Sequence, residues 1–286
     1  MALSRRDFGL AVLAAFLWGA TFPVSAVALA ETPPFFFTFL RFLVAAAFVF
    51  FVPRPDVPWR VLIGIGLFLG IGQYGLMFVA MTLGVPAGLA SLLIHTQALF
   101  TIALAAIIFS ERLTFRQVLA IGLAALGLVM LIVDRSESAA LVGLGLMLAA
   151  ATCGAGGNIL LKGLGRVDML GVAVWMSVVS PLPLLALSLV LEADGSIAAL
   201  MATLSWRVLA AAFYSAVLAT VFAYAIWGRL FVTYEAARVA PFFLLVPIFG
   251  ISLSVWLLGE RLSAIQIFGA ALIFGGLALS LRQPKT

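Results

Sequence analysis

The amino-acid sequence predicts an all-α membrane protein, with ten transmembrane helices arranged as two inverted five-helix repeats and both termini cytoplasmic. Three observations carry that expectation. The first is composition: 65% hydrophobic and 9% charged residues leave too little polar surface to cover a water-soluble globule of 286 residues. The second is an internal repeat. Residues 111–131 read ERLTFRQVLAIGLAALGLVML and residues 260–281 read ERLSAIQIFGAALIFGGLALSL, and a shift of 149 positions lays Glu111 on Glu260, Arg112 on Arg261, Leu113 on Leu262, Gln117 on Gln266 and Gly127 on Gly276. Each copy is a charged corner followed by an apolar run long enough to cross a bilayer. The third is the placement of the basic residues between the apolar runs.

Taken in order, the apolar runs fall at about 8–29, 33–52, 61–82, 86–109, 115–133, 139–161, 168–191, 207–228, 236–258 and 264–281, each near the roughly 20 residues that a spanning helix needs. Pro, Gly and charged residues mark the short connections, as in Thr32-Pro33-Pro34, Pro53-Arg54-Pro55-Asp56 and Gly84-Val85-Pro86. Ser4-Arg5-Arg6-Asp7-Phe8 looks like a twin-arginine export signal. The run behind it is longer than a signal core, holds Trp18-Gly19 and Pro23, and precedes nine more spans, so it reads as the first span. In the third run Gly66 and Gly70 form G-x-x-x-G, and Gly64, Gly72 and Gly75 extend a small surface for close helix packing. Pro23, Pro181, Pro183 and Pro247 lie within spans, where each removes a backbone hydrogen bond and favours a bend. Together with residues 154–157 they are the expected flexing points.

Orientation follows from counting Lys and Arg. With a cytoplasmic N-terminus, the inside segments hold twelve basic residues: Arg5, Arg6, Arg54, Arg60, Arg112, Arg116, Lys162, Arg166, Arg229, Arg238, Arg282 and Lys285. The outside segments hold three, Arg135, Arg207 and Arg261, with Arg41 left inside a span. That bias is the positive-inside pattern. Ten spans divide into two fives, over residues 1–134 and 139–286. Because five is odd, the second repeat enters the membrane from the opposite side, the inverted arrangement that secondary transporters use around a midplane site.

Several function classes drop out. The lone Cys153 makes no internal disulfide, and one Cys with one His cannot supply a protein-only zinc site, so neither metal nor other cofactor is expected. The net charge of +5 resides in loops that orient the chain and does not mark nucleic-acid binding. The sequence lacks a nucleotide-binding G-x-x-x-x-G-K-[ST] loop, an H-E-x-x-H motif and an acid/base pair within a span, so an enzyme is not expected. Every Asp and Glu falls at a span end or in a loop. A proton-driven cation exporter therefore lacks its usual midplane carboxylate.

The polar and aromatic residues inside spans are the site candidates, since such groups are costly in hydrocarbon unless they face protein or water. His95 lies about 14 Å along its span and shares a face with Ser91; it either contacts solute or a proton in a cavity, or bridges two helices. Arg41 either meets a substrate carboxylate or neighbouring carbonyls, and reads first as a fold residue. Trp18, Thr21 and Ser25 share one stripe, and Gln73 and Tyr74 are adjacent, with Tyr74 on the face of Met77 and Met81. Asn158 follows the glycine-rich run, and Tyr214, Tyr224 and Trp227 mark the eighth span. Trp59, Trp206 and Trp227 read as interface anchors. Trp18, Tyr74 and Tyr214 lie too deep for that, and either wall a cavity or pack. The expected substrate-binding set is Trp18, Gln73, Tyr74, His95, Asn158 and Tyr214.

Trp18-Gly19 in the first span, Pro34 then Arg41-Phe42 in the second, Pro247 in the ninth and Glu-Arg-Leu after the fourth and ninth resemble the drug/metabolite transporter superfamily, within it the EamA-type proteins. One departure is Ala98, where the second half has Pro247. The resemblance implies a multi-pass secondary transporter of small metabolites in a bacterial inner membrane, with amino-acid exporters among the similar proteins. A lining without fixed negative charge suits a neutral or zwitterionic solute with an apolar or aromatic side chain. Export of another small metabolite or drug, or a scaffold without transport, are the alternatives. Membrane lipid and a small solute are the expected partners.

Overall fold

The computed structural model describes residues 3–134, 138–164 and 167–281. Of the residues in the charge count, Arg135, Arg166, Arg282 and Lys285 lie outside the described residues, as does Glu137 among the loop acids. The described residues are helical, without strands. Every apolar run has a helical counterpart: α1 Arg5–Leu29, α2 Pro34–Phe50, α3 Trp59–Thr82, α4 Ala87–Ile108, α5 Phe115–Val133, α6 Ser138–Lys162, α7 Met169–Val179 with Pro181–Leu191, α8 Trp206–Thr233, α9 Ala240–Leu258 and α10 Ala264–Leu281. Eight of these are long and apolar enough to cross a membrane, and α7 makes a ninth if its two arms count as one span. The arms meet at Ser180 with a bend of 41°, where Pro181 cannot continue the hydrogen-bond ladder. α2 is shorter and tightens into a 3₁₀ turn at Ala47–Phe50. Large side chains such as Phe50, Phe115 and Trp256 are exposed around the bundle, as suits contact with lipid.

Besides the 3₁₀ turn that ends α2, four described stretches leave the α period, and they pair across the chain. Gly66–Gly75 in α3 and Tyr214–Phe222 in α8 are π-helical, while Ile94–Thr96 in α4 and Ala240–Leu244 in α9 are 3₁₀ turns. Helix contacts pair in the same way. α1 packs on α8 and α9, and α6 packs on α3 and α4; α2 lies against α7, α4 against α9, and α5 against α10. Exchanging each helix of the first half with the one five places later maps this pattern onto itself. The opening helix of each half is thereby inserted into the other half.

Small residues permit the closest approaches. A Cβ on Gly276 would sit 2.6 Å from the Ala120 carbonyl oxygen, and one on Gly127 would meet the Gly269 carbonyl, which explains why the repeated glycine occurs in both α5 and α10. Gly70 sits against Ser180, so the G-x-x-x-G face of α3 receives the bend of α7.

The two Glu-Arg-Leu corners share one construction. Each Glu follows a left-handed residue, Ser110 at φ 53° and Gly259 at φ 68°. Three residues after the Glu, Thr114 and Ser263 cap α5 and α10. The Gln117 amide nitrogen donates to Thr114 Oγ1 (3.3 Å) and the Thr114 amide to Gln117 Oε1 (2.8 Å). Gln266 and Ser263 repeat the exchange at 3.1 and 3.2 Å. This reciprocal capping box satisfies two otherwise orphaned donors at each helix start. The superposition of Gln117 on Gln266 thus has a local cause. Only the first corner carries a Cβ in the left-handed region, which costs a non-glycine residue about 1 kcal/mol. Ser110→Gly is therefore expected to raise the unfolding midpoint of the detergent-solubilised protein by a few degrees; a lowered midpoint would contradict it.

Candidate functional site

Between the halves lies a cavity of about 430 Å³, within the size range of small-molecule sites. Trp18, Gln73, Tyr74, His95 and Asn158 line it together. Tyr214 is not among its lining: its hydroxyl donates to the Leu17 carbonyl oxygen at 3.0 Å, tying α8 to α1. Tyr214 opens the π-helical stretch of α8.

The polar groups are held by one another and by the backbone. Gln73 Nε2 donates to Gln97 Oε1 (2.8 Å), and Asn158 Nδ2 donates to Thr101 Oγ1 (3.1 Å), so α3, α4 and α6 are joined by side-chain bonds. Gly154 makes room for this: a Cβ there would meet Gln97 Oε1 and lie 2.9 Å from Gln73 Oε1. His95 stands in the 3₁₀ turn of α4, and its Nδ1 lies 2.6 Å from the Ser91 carbonyl oxygen. A carbonyl only accepts, so Nδ1 carries the hydrogen and Nε2 is left to other contacts. Trp18 Nε1 donates to the Ala219 carbonyl oxygen at 2.7 Å. Its ring lies 5.2 Å from Tyr224, 5.6 Å from Trp227 and 5.5 Å from Phe243.

The sequence reading missed part of this wall. Trp227, read as an interface anchor, is 1% exposed and stacks on Phe243 at 4.3 Å, so it belongs to the interior. Trp206 is exposed, in keeping with an interface position. Gln97, Phe243 and the cavity role of Tyr224 went unread, although Gln97 is a polar residue inside a span, the same kind of signal that singled out Gln73. Arg41, read first as a fold residue, is 2% exposed and lines the cavity. Among the described lining residues Arg41 and His95 are the basic side chains, and there is no carboxylate.

The cavity is one-ended. Its lining reaches Leu161, Met169, Ala240 and Leu281 at helix ends, but stops in mid-helix at Phe22, Met77, Ile94 and Pro247. Beyond Ile94 and Pro247 the bundle is closed by direct packing of Gly250 against Ser91. Carboxylates fasten this closed end. Glu260 accepts from the amides of Ala87 (2.7 Å) and Gly88 (3.0 Å) at the start of α4. Glu192 accepts from Phe35 (2.7 Å) and Phe36 (3.2 Å) at the start of α2. Pro86 and Pro33 precede those helices and offer no side-chain cap, so the carboxylates satisfy N-terminal donors and meet the positive end of the helix dipole. Glu31 binds the Ser205 hydroxyl and the Arg207 guanidinium, and these partners, the hydroxyl first, hold its carboxyl below the usual carboxylate range. Its contribution is present above that range and is lost as pH falls through the lowered value.

The sequence model of the EamA-like transporter family matches residues 8–133 and again 141–282. The chain belongs to the EamA-like transporter family. As a member it is an integral multi-pass membrane transporter with a small-molecule substrate. It is 41% identical to a probable amino-acid metabolite efflux pump of Salmonella typhimurium, over 98% of this chain and 96% of that protein. It is 39% identical to a protein of the same description from Escherichia coli K12, with the same coverage. A crystal structure of a protein 20% identical superposes with a TM-score of 0.62, covering 94% of this chain and 95% of that one, a likeness of fold.

Proposed function

We propose that this EamA-family transporter exports amino acids or closely similar metabolites across a bacterial inner membrane by alternating access. Its halves, residues 1–134 and 139–286, act as inverted five-helix repeats of ten spans with cytoplasmic termini. The observation that carries this reading is the one-ended cavity between halves whose helix contacts exchange into one another. A pseudo-symmetric bundle open at one end has a counterpart state open at the other. The basic-residue count supports a cytoplasmic open end, and on this reading the cavity is that of an inward-facing state. The two relatives described as amino-acid metabolite efflux pumps support the substrate class and the direction.

The aromatic wall of Trp18, Tyr74, Tyr224 and Trp227 offers contact area to a bulky side chain. Arg41 disfavours a solute of net positive charge. Counterflow into proteoliposomes is therefore expected to rank labelled Phe above Thr and Thr above Lys. Preference for Lys would refute the reading.

His95 is the lining side chain whose ordinary titration range lies near neutral pH, so it is the candidate through which a proton gradient would couple. His95→Ala is expected to retain counterflow while losing acceleration by an imposed pH gradient. Unchanged acceleration would remove His95 from coupling.

A further inference from the structure

We infer that Arg41 is a carboxylate anchor, and that the transported solute must carry a free carboxylate. This deepens the transport reading and rests on it for the identity of the cavity. Arg41 lies on α2 at 2% exposure and lines the cavity. Its hydrogen bond to Thr220 is a long one, 3.4 Å from Nη2 to Oγ1, while Nε and Nη1 are buried without a partner. A guanidinium keeps its charge and presents five N–H donors in a planar fork, so this side chain uses little of its capacity.

Aromatic rings surround the same group. The guanidinium carbon lies 4.0 Å from the Tyr74 ring centroid, 5.1 Å from Phe42 and 5.9 Å from Phe78. Aromatic faces attract a cation without accepting its in-plane N–H bonds. The unused donors lie in that plane, where a carboxylate accepts charge-assisted bonds. A purely structural arginine at this depth would bind carbonyls at helix ends or a buried acid. Here no acid is among the described lining residues, and Glu31 faces Arg207, Asp7 faces Arg229, Glu192 caps α2 and Glu260 caps α4. The lining offers no internal counter-ion, and a solute carboxylate supplies one. Thr220, itself donating to the Ser215 carbonyl oxygen (2.9 Å), loses nothing when Nη2 turns to the ligand.

The test uses purified full-length protein in detergent and two probes of one shape, phenylacetate and phenylacetamide. Affinity is read from the shift of the thermal unfolding midpoint with probe concentration. Wild type is expected to bind phenylacetate at least about tenfold more tightly than the amide, a charge-assisted bond being roughly twice as strong as a neutral one. Arg41→Lys is expected to keep that preference with weaker binding, and Arg41→Gln to lose it. Equal affinity for both probes in wild type, no binding of phenylacetate, or an unchanged preference in Arg41→Gln would overturn the inference. The wild-type comparison decides alone if Arg41→Gln fails to fold. Phe counterflow in parallel separates the two claims. Phenylacetate binding without amino-acid counterflow would sink the transport reading and leave the anchor. Counterflow of Phe and phenylalaninamide at equal rates would do the reverse.

Discussion

Glu260→Ala is expected to open the closed end of the cavity. The substitution leaves the Ala87 and Gly88 amides at the start of α4 without their acceptor, and removes a negative charge from the positive end of that helix. Hydrogen bonds to a charged group contribute about 2 kcal/mol each. Losing even one such increment shifts the closed-to-open ratio by roughly thirtyfold. Ser254 reports on this interface, since it is fully buried on α9 and would touch a Cβ placed on Gly88. Cys153 is the sole native cysteine, so a Cys153→Ser background makes Ser254→Cys the single thiol. A membrane-impermeant maleimide added from the Glu260 side should label that thiol at least about tenfold faster with Glu260→Ala. Counterflow should fall in parallel, because a protein that cannot close that end cannot complete the cycle. Labelling at the unaltered rate would show that Glu260 caps a helix and fastens nothing.

The corner that carries Glu260 was the most legible part of the chain. Glu, Arg, Leu, a capping hydroxyl and a Gln three residues on recur at one shift, and the structure shows each copy as a left-handed residue followed by a capping box. The helices were legible for a simpler reason: hydrophobic runs of this length have one way to satisfy their backbone in lipid. The bend of α7 at Ser180 was foreshadowed by Pro181. The two π-helical stretches were not, because i+5 hydrogen bonding depends on which neighbour presses on the helix and has no composition of its own. Tyr214 was read by its depth in the span, and at the start of the second of these stretches it ties α8 to α1 instead of lining the cavity. Trp227 misled for a related reason: a Trp near a span end is read as an anchor until a partner such as Phe243 is seen stacked on it. Residues 154–157 were read as flexing points, and in the structure Gly154 leaves space for two glutamines. Arg41 shows the limit most clearly. Its sequence neighbours mark it as part of a shared pattern, but only the positions of Tyr74 and Thr220 reveal donors left unused.

Trp18→Ala is expected to change which solutes move as well as how fast. Trp18 belongs to an aromatic group with Tyr224, Trp227 and Phe243, and its Nε1 bond to the Ala219 carbonyl fixes the ring between α1 and α8. Truncating a large aromatic in packed surroundings costs about 3–5 kcal/mol. One side of this ring faces the cavity, so the loss is expected at the lower end. Phe depends on that wall for apolar contact and Thr has little to place against it. Phe counterflow should therefore fall at least about tenfold, an amount that 1.4 kcal/mol of lost contact supplies, while Thr falls less. Trp18→Phe separates wall from tether. It keeps an aromatic face and deletes the Nε1 bond, worth about 1 kcal/mol, so Phe flux should recover most of the loss while the unfolding midpoint stays below wild type. Tyr74→Ala should follow the same order, since that ring also lines the cavity and lies on the face of Arg41. An equal loss of Phe and Thr flux in both alanine variants would make these rings packing residues and leave the side-chain preference without a structural basis.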